Sequence, residues 1–203
     1  HPDVRRMLLL QKAIVEGALS LLLECSKYSD IAHCDADETK SNHHLLLEFL
    51  TPIAKTYPSE MGRISINNGL QVLGGYGYCM DFPLQQYLRD IRIMAIYEGT
   101  TGIQSLDLLG RKIPMENGKA LQLLTDQMMA TINEAKKYEN LTANADILSE
   151  KMGEIQKVLS YLMPFAAKGD YENYLADATV FMEMASNIII GHQWLKMAIV
   201  AQK

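Results

Sequence analysis

Gln71-Val72-Leu73-Gly74-Gly75-Tyr76-Gly77-Tyr78 and Tyr97-Glu98-Gly99-Thr100-Thr101-Gly102-Ile103-Gln104 are the two places where glycine breaks a chain that otherwise reads as helix throughout. Between them Leu84, Tyr87, Leu88, Ile91 and Ala95 recur at steps of three and four, one face of a helix. Asp81-Phe82-Pro83 reads as its start, with Asp81 as cap and Pro83 in the first turn. Thr101 and Gln104, three apart, have the form of a capping box for a further helix running to about Gly110.

The same periodicity extends in both directions. Upstream, Val4, Met7, Leu8, Val15, Ala18, Leu19 and Leu22 predict one face of a long first helix, followed by a polar loop from Asp30 to Asn42. Leu46, Phe49, Leu50, Ile53 and Tyr57 predict a second helix that Pro52 must kink or restart, and a third is expected from about Ser59 to Leu73. Downstream, Ile113-Pro114-Met115-Glu116-Asn117-Gly118 is turn-rich and marks the expected boundary between residues 1–112 and 113–203. Beyond it Leu121, Leu124, Met128, Ile132 and Ala135 form one helical stripe, and Leu148, Met152, Ile155, Leu159 and Leu162 a second. Tyr171, Tyr174, Ala178, Phe181, Ala185, Ile188, His192, Leu195 and Ile199 form a third. No strand is convincing. The fold class is all-α, an antiparallel helical bundle followed by a smaller helical extension.

Composition narrows the function. The 203 residues are 48% hydrophobic, enough for a real core. The formal charge of −5 and the absence of a clustered basic face argue against nucleic acid. Three cysteines, Cys25, Cys34 and Cys79, in no paired spacing suit a reducing cytoplasm better than a disulfide scaffold. No apolar run approaches the ~18 residues of a membrane span, and no secretory signal is legible. The chain opens His1-Pro2-Asp3 without Met, with periodicity from Val4, and is expected to be a piece of a longer protein.

Two residue patterns can carry chemistry. Glycines at 74, 75 and 77 let a backbone approach a ligand and present bare N–H groups to a phosphate, or they simply end a helix. Glu98 precedes a helix start: it is either an acidic residue facing a helix dipole or a carboxylate on a glycine hinge, able to act as a general base. His33, Cys34, Asp35, Asp37, His43 and His44 crowd one segment without a zinc-like spacing, so no metal is expected. His192, on an apolar stripe, reads as a hydrogen-bonded core histidine, and Trp194 as packing or an interface anchor.

The two glycine patches, joined by Leu88-Arg89-Asp90-Ile91-Arg92, together resemble the acyl-CoA dehydrogenases in order, spacing and residue type. The likeness covers about residues 1–112. Residues 113–203 look like the helical extension of a longer branch that includes enzymes acting on methylthio-substituted acyl-CoA. The resemblance implies an FAD-dependent enzyme that converts an acyl-CoA thioester to a trans-2-enoyl-CoA. Glu98 would be the base that takes the α-proton, and its backbone N–H would be a donor to the thioester oxygen beside Gly99. Gln71, Gly74 and Gly75 match positions that contact the adenosine diphosphate end of FAD held mainly by a neighbouring subunit, and Thr100 matches a threonine near the flavin. Gly102 departs from relatives that carry glutamine there. An electron-transfer acceptor protein and a homo-oligomer are implied as well. The alternative is a non-catalytic helical oligomerisation module derived from the same family.

Overall fold

The computed structural model describes the backbone of residues 1–34 and 38–203, and the side chains of 1–33 and 41–203. Helix α1 spans Pro2–Cys34 and α2 spans Glu38–Leu73. They are antiparallel: the Gln11 amide donates to the Ser65 carbonyl at 2.7 Å towards one end, and Tyr28 packs on the His43 ring at 5.3 Å towards the other. Ile14, Leu21, Leu46, Leu50 and Ile53 lie fully buried between them, each such side chain stabilising the fold by about 1.5–3 kcal/mol.

Three expectations need correction here. The apolar stripe read for α1 is buried only in part, at Met7 and Ala18. Leu8, Val15, Leu19 and Leu22 are exposed, whereas Met7, Ile14, Ala18, Leu21, Cys25 and Tyr28 face the core. The helix carries apolar residues on more than one side, so period alone cannot choose the face. The expected loop from Asp30 to Asn42 is also shorter, because α1 runs to Cys34 and α2 already begins at Glu38; residues 35–37 lie outside the described ones. Nor does Pro52 divide the next segment. The helix continues for 36 residues through both Pro52 and Pro58. Pro52 is itself in the core, and burial of Leu50, Ile53 and Tyr57 around it outweighs the lost hydrogen bond.

Helix α3 (Gly75–Tyr78) is a single turn, and α4 (Leu84–Met94) then runs back along α2. Glycine permits the close approach: a Cβ on Gly62 would stand 2.5 Å from Ile91 Cδ1, and one on Gly69 3.1 Å from Leu84 Cδ1. Asp81 does not cap α4; Pro83 occupies that position, with no side-chain cap. Helix α5 (Thr101–Asp107) passes into a π-helical turn, Leu108–Lys112, rather than running on to Gly110 as α-helix. The wider turn sinks Leu108 and Leu109 into the core and sends Lys112 to Glu48.

The chain reverses at Met115–Gly118, where Glu116 (φ 47°), Asn117 (φ 56°) and Gly118 (φ 83°) are all left-handed. Helices α6 (Lys119–Ala135), α7 (Thr142–Ala167), α8 (Tyr171–Leu175) and α9 (Ala178–Val200) follow. The stripe read as one helix from Tyr171 is thus broken between α8 and α9, and Tyr171 is exposed. From Tyr174 onwards the predicted positions are all buried. There is no strand among the described residues.

Helix α9 joins the two halves of the chain into one core. Gln193 donates to Glu24 and accepts from Ser20, Lys196 pairs with Glu24, and the Trp194 indole donates to the Ala13 carbonyl at 3.0 Å. Burial raises the Glu24 pKa, but Lys196, Gln193 and Tyr28 together outweigh it and leave the carboxyl below its usual range. His192 is the core histidine expected: 2% exposed, with Nε2 2.9 Å from Thr131 Oγ1. That hydroxyl already donates to the Gln127 carbonyl, so Nε2 carries the ring proton and Nδ1 is left without a partner. Burial, with Lys196 nearby, pushes the His192 pKa down to about 4.

The unfolded chain therefore binds a proton at His192 from about pH 6.5 downwards that the folded chain refuses until about 4. Stability from this group is complete above pH 6.5 and is lost as the pH falls to 4, by up to about 3 kcal/mol. Glu24 adds a loss in the same direction only below the ordinary carboxylate range. Urea unfolding at pH 7 and pH 4.5 should show the slope in the wild type and a flatter one in His192→Gln; equal slopes would refute the assignment.

Candidate functional site

Helix α4 ends against buried Ala95, and Ile96 and Tyr97 close its last turn through the Ile93 carbonyl. The chain must then reverse into α5, and it does so through two consecutive left-handed residues, Glu98 (φ 51°) and Gly99 (φ 93°). Glycine is suited to that region; a glutamate there is strained by about 1–2 kcal/mol. The strain is held from both sides. The Gln104 side-chain amide donates to the Glu98 carbonyl at 3.1 Å, and the Lys55 ammonium, reaching over from α2, donates to the Gly99 carbonyl at 2.5 Å.

Capping of α5 is displaced by one residue from the expected box. Thr100 is the cap, its Oγ1 accepting from the Ile103 N–H. Thr101 donates instead to Glu60 on α2 at 2.5 Å, and Gln104 reaches back to Glu98 rather than to a cap N–H. The consequence is an exposed Glu98 carboxylate without a hydrogen bond or ion pair among the described residues, above a cleft of about 430 Å³ that Gly99, Ile103, Gln104, Asp107 and Arg111 also line. The Glu98 backbone N–H likewise has no partner among them. A larger groove of about 630 Å³ between α7 and α9, lined by Ile147, Leu148, Trp194 and Leu195, lies apart from this turn. It is mostly apolar, and the carboxylate turn is the better candidate on chemical grounds.

The glycine patch is a separate feature. Gly74 (φ 61°) reverses the chain at the end of α2, its N–H bonded to the Gln71 carbonyl at 3.2 Å. Gln71, Gly74 and Gly75 are exposed, and a Cβ on either glycine would meet nothing within 4 Å. Gly77 is the opposite case: a Cβ there would stand 2.8 Å from the Leu70 carbonyl, so its role is packing. The sixteen residue steps along α2 from Lys55 to Gln71 span roughly 24 Å at 1.5 Å each. Glu98, Gly99 and Thr100 therefore lie together at one turn, and Gln71, Gly74 and Gly75 together at another well removed from it. Lys55 and Glu60 escaped the sequence reading because nothing in their local pattern points to a turn some forty residues away. Among the described residues no three His, Cys, Asp or Glu side chains are grouped to hold a metal; Asp35, Asp37 and the Cys34 side chain lie outside them. No helix of the described residues is long and apolar enough to cross a membrane.

Two family models match the chain. Residues 1–113 fit the family model for the acyl-CoA dehydrogenase C-terminal domain, and residues 124–203 fit one described as acetyl-CoA dehydrogenase C-terminal like. The chain belongs to the acyl-CoA dehydrogenase family. It is 32% identical over its whole length to a 3-methylmercaptopropionyl-CoA dehydrogenase of Ruegeria pomeroyi, covering 34% of that protein. It is 31% identical over 99% of its length to the broad-specificity linear acyl-CoA dehydrogenase FadE5 of Mycobacterium tuberculosis, again covering 34%. The chain thus spans about a third of the length of these relatives. Caenorhabditis elegans ACDH-11, crystallised with C11-CoA, shares the fold at a TM-score of 0.72 and 22% identity, over 93% of this chain and 32% of its own.

The turn's geometry separates two glycines that look equivalent in sequence. Gly99→Ala would place a Cβ at left-handed φ and 2.7 Å from Gln104 Nε2, and should lower stability by about 1–2 kcal/mol. Gly102→Ala sits in ordinary helix with only Thr100 Oγ1 nearby, at 3.9 Å, and should raise stability by up to about 1 kcal/mol. Thermal melts of the two variants check the opposite signs.

Proposed function

We propose that this chain is the C-terminal helical part of an FAD-dependent acyl-CoA dehydrogenase, with residues 1–112 as the family bundle and 113–203 as its extension. The observation that carries this reading is the exposed Glu98, whose carboxylate and backbone N–H have no partner among the described residues, on a strained left-handed turn. An α-proton beside a thioester is weakly acidic. Its removal needs a placed base and a donor for the oxygen on which charge develops. Glu98 supplies both from one residue: its carboxylate takes the proton, and its N–H donates to the thioester oxygen. Gly99, beside it on the same turn, would lie against the acyl group as part of the substrate site.

The residues present fit FAD. The open glycine turn at Gly74 and Gly75 and the exposed Gln71 would hold its adenosine diphosphate end. The Thr100 hydroxyl, which only accepts from Ile103, keeps its proton to donate on the flavin side. FAD, when bound, supplies the acceptor for the β-hydride. The separation of the two patches along α2 favours a homo-oligomer in which a neighbouring copy brings the rest of the FAD site. An electron-transfer protein as the final acceptor and a cytoplasmic location belong to the same proposal.

The test uses the full-length flavoprotein and a panel of acyl-CoA thioesters without an electron acceptor. Wild type should bleach with at least one thioester. Glu98→Gln should retain FAD but bleach at least ~10²-fold more slowly. A protein that binds no FAD would instead favour the helical oligomerisation module.

A further inference from the structure

The Glu98 turn carries a support that its own sequence does not contain. Lys55 lies half-buried near the middle of α2, and among the described residues its ammonium meets no carboxylate. Its one hydrogen bond goes to the Gly99 carbonyl. A lysine held in this way spends a charge-assisted bond, roughly twice as strong as a neutral one, on a single peptide group. Gln104 fastens the preceding carbonyl, that of Glu98, from the first turn of α5. Two adjacent carbonyls of a two-residue reversal are thus fixed by donors from two different helices. Glu60, also on α2, accepts from the Thr101 hydroxyl, two residues beyond Gly99.

Such fastening is what a left-handed glutamate requires. Without it the turn would relax towards commoner backbone conformations and swing the carboxylate with it. Gly99 fits the same device, since a side chain there would displace the Gln104 amide at 2.7 Å.

We infer that Lys55 and Gln104 are positioning residues that hold the Glu98–Gly99 turn in its strained conformation and so aim the Glu98 carboxylate. This rests on the reading of Glu98 as the base. Each acts through a backbone carbonyl of the turn, Lys55 from outside the cleft and Gln104 from its lining. The Lys55 ammonium supplies most of the hold because it is charged and comes from the rigid, buried helix α2.

The experiment compares wild type, Lys55→Met, Lys55→Arg, Gln104→Ala and Glu98→Gln in the full-length FAD-loaded protein. Anaerobic flavin bleaching is followed against butanoyl-CoA and octanoyl-CoA concentration, and amide hydrogen exchange is read over Ala95–Gln104. Lys55→Met should lower the limiting bleaching rate by roughly 10–100-fold while the half-saturating concentration moves less than about threefold. Exchange of the turn amides should quicken about tenfold or more, with the rest of α2 unchanged. Lys55→Arg, which can still reach the carbonyl, should recover most of both. If Lys55→Met does not fold, Gln104→Ala, a surface change in a helix, must show the same two effects. Wild-type bleaching by the Lys55→Met protein, or slow bleaching with unaltered turn exchange, would overturn the inference. If Glu98→Gln itself bleaches at the wild-type rate, the base reading fails separately. Turn exchange alone then decides whether Lys55 holds the turn: quickened exchange keeps that part, unchanged exchange ends it.

Discussion

Burial of one face of α2 against α1 is the constraint on which the rest depends. Leu46, Leu50 and Ile53 are almost wholly removed from water, and their burial keeps the helix intact across Pro52 and Pro58. Everything at the candidate site is referenced to that rod. Lys55 and Glu60 project from it onto the turn at Glu98–Thr101, α4 runs back along it through the close approaches at Gly62 and Gly69, and Gln71 stands at its far end. Had Pro58 split the segment, Lys55 and Gln71 would belong to separate helices and their separation would not be fixed.

The strain at Glu98 has a physical purpose within this scheme. A loop that relaxed freely would let a carboxylate sample many directions, whereas a reversal in two residues allows few. The unfavourable backbone is offset by fastening from outside the loop and by the Thr100 cap. The left-handed glutamate costs stability at this position, as a residue held in a sparsely populated conformation does.

The extension packs as part of the core rather than as an appendage. Helix α9 shares buried side chains with α1, α5 and α6, and places a polar knot of Gln193, Lys196 and Glu24 where an apolar contact would have packed as well. Such buried polar contacts are directional, and a shift of α9 along α1 would leave Glu24 and Gln193 unsatisfied. Two family models match on either side of the left-handed turn at Met115–Gly118, and the residues of both matches share one core.

The sequence by itself determined the all-α class, most helix positions after Gly118, the core role of His192, and the family through its two glycine patches. These are local signals: period, cap chemistry and short spacing survive without knowledge of neighbours. Only the tertiary structure decided which apolar stripe of α1 is buried, because Leu8 and Leu19 are as hydrophobic as Leu21 and only a packed partner distinguishes them. It also decided that Pro52 leaves α2 whole, that Thr100 rather than Thr101 caps α5, and that Asp81 caps nothing. The turn at Glu98 shows the division most sharply. Its residues and its glycine are legible in the chain, but its conformation depends on Lys55. Sequence distance hides that lysine, and only the antiparallel return of α4 along α2 brings the turn to it.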